Sequence, residues 1–345
     1  YLSDNTEIPD NKKFASNIQL GFHGAYEGSA INKATNYIKA LVELRKYIKK
    51  EKFDIIHLQW FSLPWIEWLY VYSIKKYGKI VITVHDVIPF NNRPFEMKCL
   101  NMIYKCADRL LLHTKSSKEE FEANYTARTP ISIITQGFCL KSDYQKIDKK
   151  EAKKHFGISE DSVVYLYYGT IRKSKGLNHL IKAIGKAHMQ NKKVYLLAAG
   201  AFQKIDPEEY KQLVAENLDD SSCTTNFNFI PMEDEPWYFS AADVLCLPYL
   251  EITQSGVAQV GLMYDLPMIS SDIGEMGEVT RQGENGELVK PGDEDSLMQA
   301  ILKVADDEKL RNLYSLKSKQ LGEEEFSVEI KAKKVVEAYR LLSGK

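Results

Sequence analysis

The feature that most limits what this chain can fold into is a rhythm. Short runs of apolar, β-prone residues alternate with helix-period segments almost from end to end. In the first half, "ATNYIKALVELRKYIKKEKFD" sets Ile38, Leu41, Leu44 and Ile48 at helical spacing, and "DIIHLQW" follows as a strand. A Trp-rich segment, the strand in "KIVITVHDVIPF", a helix near 95–107, "RLLLHTKSS", a further helix and "ISIITQGF" continue the pattern. Strands separated by helical segments imply crossover units, hence parallel sheets with helices on both faces. The lysine-rich "KSDYQKIDKKEAKKHFGISED" breaks the rhythm and is predicted as a linker plus a short helix. The pattern restarts at "SVVYLYYGT" and runs through "VYLLAAG", "NFNFIP", "ADVLCLP", "LPMISSD" and "GELVKPGD". "SVEIKAKKVVEAYRLLSGK" closes the chain as a long amphipathic helix.

At 345 residues the chain is too long for one ordinary core. The fold class expected is α/β: two Rossmann-like, doubly wound parallel-sheet domains facing a central cleft. The first spans 1–155 and the second 156–325, with a C-terminal helix over 326–345 packing back toward the first. The opening "YLSDNTEIPD" looks like the tail of a strand already under way, so a first strand is expected upstream of this numbering. Doubly wound sheets bind ligands beyond the carboxyl ends of their strands, so those loops are where chemistry is sought.

Composition removes several function classes. A formal net charge of −1 argues against a dedicated nucleic-acid binder. Residues 1–158, however, hold 25 Lys/Arg against 17 Asp/Glu, which leaves the first half basic and the rest acidic. A basic half suits an anionic membrane surface or an acidic partner; lysine-rich solvated helix faces account for it equally well. Cys99, Cys106, Cys139, Cys223 and Cys246 form no CxxC pair, so neither a zinc site nor a disulfide framework is expected. Reduced core thiols fit a cytoplasmic location. No run of 18 apolar residues occurs, and the N-terminus shows no signal-peptide pattern. Trp60, Phe61, Trp65, Trp68, Tyr70 and Tyr72 serve either as a lipid- or sugar-facing surface or as packing beneath the first sheet.

Three strand-end segments carry candidate chemistry. In "YYGTIRKSKGLNHLIKAI", Gly169 permits close ligand approach, Arg172 offers a planar fork to phosphate oxygens and Lys175 a mobile point charge. Its bland alternative is an exposed basic turn. In "YLEITQSGVAQVG", Ser255 and Gly256 at a helix start present backbone N–H groups at the positive end of a helix dipole. Ser255 is also a natural N-cap, so a well-capped helix is the alternative there. One cationic loop and one loop of backbone donors together fit a diphosphate. No GxxxxGK[ST] occurs and no GxGxxG follows a strand, so neither a Walker A loop nor a nicotinamide dinucleotide site is supported. In "TVHDVIPF", His85 and Asp86 sit just past a strand end; His57 in "IIHLQW" holds a comparable place.

Taken together, G-T-I-R-x-x-K-G, P-Y-x-x-x-T-Q-S-G-V and G-E-x-G-E-L-V-x-P-G-D resemble glycosyltransferase family 4, with "HDVIP" and "ADRLLLHTKSSKEEF" matching in the first half. These are retaining enzymes of the GT-B fold that use nucleotide-diphosphate sugars. The resemblance implies that Arg172 and Lys175 neutralise the donor diphosphate, beside Gly169 and Thr170. It implies that Thr253, Gln254, Ser255, Gly256 and Val257 form the phosphate cradle, with backbone N–H groups of the last three binding it. His85 would contact the transferred sugar, and Glu251 falls near the first glutamate of the family's paired-glutamate motif. The second glutamate is missing: the register from "DLP" puts Val260 there, with Gln259 the nearest polar residue. The Gly-rich acceptor loop of the first strand is also absent. His57 and Asp86 are assigned to the acceptor side.

The activity expected is transfer of a sugar from a UDP-sugar, or next from GDP-mannose, to a glycan or lipid-linked acceptor. The enzyme would be cytoplasmic, with peripheral contact at the anionic inner membrane face. No metal and no cofactor beyond the nucleotide sugar are expected, since no DxD-type motif sits at a strand end and "NLDDSS" reads as a surface loop. The rival readings are a GT-B phosphorylase or epimerase, and a non-catalytic nucleotide-sugar-binding scaffold protein.

Overall fold

The computed structural model describes residues 2–3, 20–21, 29–89, 93–135, 146–252 and 255–343. The chain divides into two compact units: residues 1–133 with 335–345, and residues 134–334.

The first unit holds a short parallel pair, β1 (Leu2–Ser3) with β2 (Leu20–Gly21). Its main sheet has four parallel strands in the order β3 (Ile55–Leu58), β4 (Lys79–Thr83), β5 (Arg109–Leu112) and β6 (Ile131–Ile133). Ile80, Ile82, Leu110 and Leu112 pack with Val71, Ile74, Ile103 and Phe121 from its helices. The long helix Ala30–Glu51 is capped by Ser29, whose hydroxyl accepts from Asn32 N. Leu41 and Ile48 are buried as its period predicts, but Ile38 is 44% exposed. It stands on the open side of the helix, away from the Tyr37–Leu41 cluster. Residues 335–345 belong to this unit, and there Tyr339 Oη lies 2.6 Å from His57 Nδ1.

The second unit is built on six parallel strands in the spatial order β12-β11-β10-β7-β8-β9. In chain order these are β7 (Val163–Tyr168), β8 (Val194–Ala199), β9 (Cys223–Asn226), β10 (Val244–Leu247), β11 (Met268–Ser271) and β12 (Gly286–Val289). Alternate strand residues face opposite sides. Tyr165, Leu196, Ala198 and Cys246 meet the helices Leu177–Gln190 and Glu294–Asp306 on one face. Leu166, Leu197, Leu245 and Leu247 meet Ala152, Tyr238, Ala258 and Leu262 on the other. Both faces are covered, which is why these strands read as near-continuous apolar runs.

Two expectations shift. The segment "NFNFIP" is not a strand; β9 ends at Asn226, where that segment begins. Beyond it Asn226 Oδ1 accepts from Asn228 N and turns the chain away. The helix Lys149–His155, expected with the first domain, packs in the second unit. Ala152 enters its core, and Lys149 and Lys153 pair with Asp243 at 2.8 and 2.9 Å. Burial pushes the Asp243 carboxyl up, but the two lysines more than offset it and leave the group below its ordinary value.

The strand order positions the candidate site. From β7 the chain steps outward to β8 and β9, then returns to the other side of β7 for β10. The crossovers therefore diverge between β7 and β10, the switch point beyond whose carboxyl ends sheets of this kind bind ligands.

Candidate phosphate site of the second unit

Both cationic and cradle loops issue from that switch point. β7 ends at Tyr168 and leads into Gly169, Thr170, Arg172 and Lys175; β10 ends at Leu247 and leads into Tyr249, Glu251 and the helix Gly256–Met263. Thr253 and Gln254 lie outside the described residues.

The two loops are locked together. Leu250 N donates to the Ser174 carbonyl at 2.8 Å and Glu251 N reaches the same oxygen at 3.4 Å. Gly176 holds φ +67°, and a Cβ there would lie 1.8 Å from the Pro248 carbonyl oxygen. Only glycine combines that left-handed conformation with that approach. Gly169 has φ +112° and donates its N–H to the Ala199 carbonyl at 2.9 Å, continuing the sheet past the strand end. Thr170 and Glu251 are exposed, and the Thr170 carbonyl accepts from Tyr167 Oη at 3.4 Å.

Ser255 does act as the N-cap: its hydroxyl accepts from Ala258 N at 3.3 Å. That leaves Gly256 and Val257, exposed and half-buried, in the first turn, where N–H groups have no intrahelical carbonyl to reach. With the dipole of the helix behind them, these amides can serve as anion donors.

Tyr249 joins the parts, and the sequence reading gave it no role. It is 2% exposed; its hydroxyl lies 3.1 Å from Ser255 Oγ, and Lys175 Nζ stands 3.7 Å from its ring centroid. Burial pushes the Tyr249 phenol up to about 12, with Ser255 and Arg172 pulling it back. Lys175, half-buried, is held down at about 8, first by burial and then by the Arg172 guanidinium. Arg172 itself is exposed. The Tyr249 ring thus holds the Lys175 ammonium, its pKa lowered, near the exposed Arg172 guanidinium and a helix start. A dianionic group placed there would relieve the repulsion between the two cations.

Val260, where the second glutamate was missed, is 6% exposed and belongs to the apolar core. Gln259 is also buried, and its Oε1 has no hydrogen-bond partner among the described residues.

In the first unit, the ends of β3 to β5 gather a polar cluster. His85 Nε2 lies 3.0 Å from Gln59 Oε1, and His85 Nδ1 lies 3.3 Å from His113 Nε2. Trp60 stacks on His85 with centroids 4.2 Å apart and planes within 6°. His57 is engaged at both nitrogens, by Tyr339 and by Thr83 Oγ1 at 2.7 Å. Burial raises the half-buried Asp86 carboxyl above its ordinary value. His113, 2% exposed, was not singled out, although it ends "RLLLH" at a strand end as His85 ends "TVH". Among the described residues no group of three His, Cys, Asp or Glu is placed to hold a metal. The acidic pair of "NLDDSS" forms a turn in which Asp219 accepts from Ser221. No helix of the described residues is long and apolar enough to cross a membrane.

Comparison with known proteins follows the same two halves. A model of the glycosyl transferases group 1 family matches residues 148–320, and a glycosyltransferase family 4 model matches 14–141. The chain is 24% identical over 291 residues to the UDP-Gal:alpha-D-GlcNAc-diphosphoundecaprenol alpha-1,3-galactosyltransferase of Escherichia coli, covering 81% of this chain and 73% of that protein. It is 23% identical over 235 residues to the capsular polysaccharide biosynthesis glycosyltransferase CapM of Staphylococcus aureus, covering 65% and 59%. The structure of Anabaena Alr3699/HepE in complex with UDP and glucose superposes with a TM-score of 0.72 at 16% identity, covering 93% of this chain and 85% of that one.

Proposed function

Because the chain belongs to the glycosyl transferases group 1 family, has the two-domain α/β GT-B fold and is a glycosyltransferase of polysaccharide or glycolipid synthesis, we propose that it takes its sugar from a nucleotide diphosphate held by the second unit. The observation that carries this reading is the interlocked pair of loops at the β7–β10 switch point, where Arg172 and Lys175 stand beside the helix start at 255–257.

Cleavage of the glycosidic C–O bond sends negative charge onto the departing diphosphate. Arg172, Lys175 and the amides of Ser255, Gly256 and Val257 stabilise that charge where it develops. Such preorganised donors need no metal ion. Transfer proceeds with retention, the departing phosphate taking the acceptor proton on the same face of the sugar. His85 orients the transferred sugar, Glu251 contacts its hydroxyls, and Asp86 and His57 serve the acceptor.

The donor is a UDP-sugar. Support comes from the UDP held by Alr3699/HepE and from the UDP-Gal named for the Escherichia coli relative. The acceptor is lipid-linked, as that relative's name indicates for its own reaction. We place the enzyme in the cytoplasm, in peripheral contact with the inner membrane face, on the strength of its basic first half.

A thermal-shift screen against UDP, GDP, ADP, CMP and TDP, with and without Mg²⁺, tests the donor site. Ligand at about 100 times its Kd adds about 2.7 kcal/mol of stability. A rise with UDP alone, indifferent to Mg²⁺, is expected; no rise with any nucleotide refutes the proposal. Release of UDP from a bound donor, measured over time, reads the transfer itself.

A further inference from the structure

The outer layer of the first unit carries a surface that the donor site does not use. The helix Pro64–Ile74, "PWIEWLYVYSI", is apolar around almost its whole circumference, yet Leu69 and Tyr72 are 53% and 69% exposed. An all-round apolar helix is ordinarily buried or in lipid. This one packs between the helices Ala30–Glu51 and Glu96–Cys106, and each neighbour carries exposed apolar side chains of its own. On the first, Ile38 and Val42 are 44% and 49% exposed and lead at helical spacing to the exposed Lys46 and Lys49. On the second, Phe95, Lys98, Met102 and Lys105 alternate along one stripe, Phe95 being 69% and Met102 40% exposed.

Charge decides what such a surface meets. The carboxylates on these helices are Glu43, Glu51, Glu67 and Glu96, and the last two are buried. Glu67 is bonded to Tyr37 and Glu96 to Arg93. Lys39, Lys46, Lys49, Lys76, Lys98 and Lys105 are exposed and make no ion pair among the described residues. Large apolar side chains interleaved with unpaired lysines are the composition of an interfacial membrane helix, with stems lying along the acyl boundary and ammonium groups at the phosphates.

We infer that the helices 30–51, 64–74 and 96–106 together form a docking surface for an anionic lipid bilayer. Leu69, Tyr72, Phe95 and Met102 enter the interface, and Lys46, Lys49, Lys98 and Lys105 meet the headgroups. This rests on the peripheral-contact reading above and names the surface that makes the contact; it is independent of the donor site.

Flotation of the full chain with vesicles tests it, using phosphatidylcholine alone or with about one third phosphatidylglycerol. The expected result is flotation with the anionic vesicles only, weakening as salt rises. Lys98→Gln with Lys105→Gln should weaken binding about 30-fold, the product of two headgroup contacts. Leu69→Glu with Tyr72→Glu should abolish it. Each double variant should keep its wild-type thermal midpoint and its UDP-induced shift, so a failure of the donor site is read separately from a failure of docking. Unchanged flotation of either variant pair overturns the inference. So does equal binding to phosphatidylcholine alone, or a dimer dissolved by Leu69→Glu with Tyr72→Glu, which would assign the face to a second copy of the chain.

Discussion

Lys175 offers the sharpest test of the donor site, because the fold brings its titration down into an accessible pH range. Burial and Arg172 hold its ammonium at about 8, against 10.5 for an ordinary lysine. A bound diphosphate favours the charged form and moves that value back up. Below pH 8 the lysine is charged whether or not ligand is present, and it contributes no pH dependence. Above pH 8 the free protein loses the proton that the complex keeps, so binding takes up a proton and weakens as pH rises. With a midpoint of about 8, the Kd for UDP should grow about tenfold from pH 7 to pH 9, which is about 1.4 kcal/mol. Isothermal titration calorimetry in buffers of differing ionisation heat reads both the Kd and the proton taken up. Lys175→Met keeps the aliphatic stem and removes the titrating group, so its profile carries only the nucleotide's own ionisation. Lys175→Arg stays charged throughout and should bind with the same flat profile, at higher affinity than Lys175→Met. The stability of the ligand-free protein gives a second sign. Between about 8 and 10.5 the unfolded chain binds this proton and the native one does not, so the contribution of Lys175 to stability improves as pH rises through that window. A wild-type Kd that is constant from pH 7 to pH 9, or a Lys175→Met profile with the same slope, would refute the placement of Lys175 against the diphosphate.

Further perturbations probe the same construction. Arg172→Ala should cost roughly 2 to 4 kcal/mol of transition-state stabilisation, by analogy with removal of one preorganised donor; steady-state kcat/KM measures it, and near-wild-type turnover refutes the role. Tyr249→Phe keeps the ring under Lys175 but removes the contact to Ser255 Oγ, so UDP affinity should fall by about 1 kcal/mol while the pH profile stays. Tyr249→Leu removes both partners and should alter the profile as well. Gly176→Ala puts a Cβ 1.8 Å from the Pro248 carbonyl at φ +67°; urea unfolding should show a loss of about 1 kcal/mol or more from the backbone conformation alone, with weaker UDP binding as the loops separate. Lys153→Met leaves Asp243 with Lys149 and the Val164 N–H as partners and should destabilise the second unit by about 1.5 to 3 kcal/mol, the loss of one hydrogen bond to a charged group. The paired Asp243 stabilises above the ordinary carboxylate range, and that contribution is lost on acidification as pH falls through its lowered value; the variant should show a shallower acid limb.

The order of strands and helices was legible in the residues because period and apolarity are local. β7, β8, β10 and β11 are covered on both faces, and the segments "VVYLYY", "VYLLAA", "VLCL" and "MISS" read accordingly. β9 misled for the opposite reason. It is the edge strand, half-buried along its length, so "CTTN" needs little apolar content, while Phe227 packs on the core from a loop and Phe229 is 80% exposed. The placing of Gly169, Arg172, Lys175 and Ser255–Val257 just past strand ends was also legible, because the end of an apolar run and a helix cap are local signals. Tertiary structure alone decided what joins them. Tyr249 meets Lys175 because β7 and β10 are neighbours across the switch point, although 74 positions separate the two residues. No local period reports which strands lie side by side. The same holds for Ile38, whose spacing matched a core position while the packing of Tyr37 and Leu41 turned it to the open face. It holds again for the helix 149–155, drawn into the second unit by Asp243 far along the chain. A sequence states what each segment can bury; only the closed fold decides against which partner it is buried.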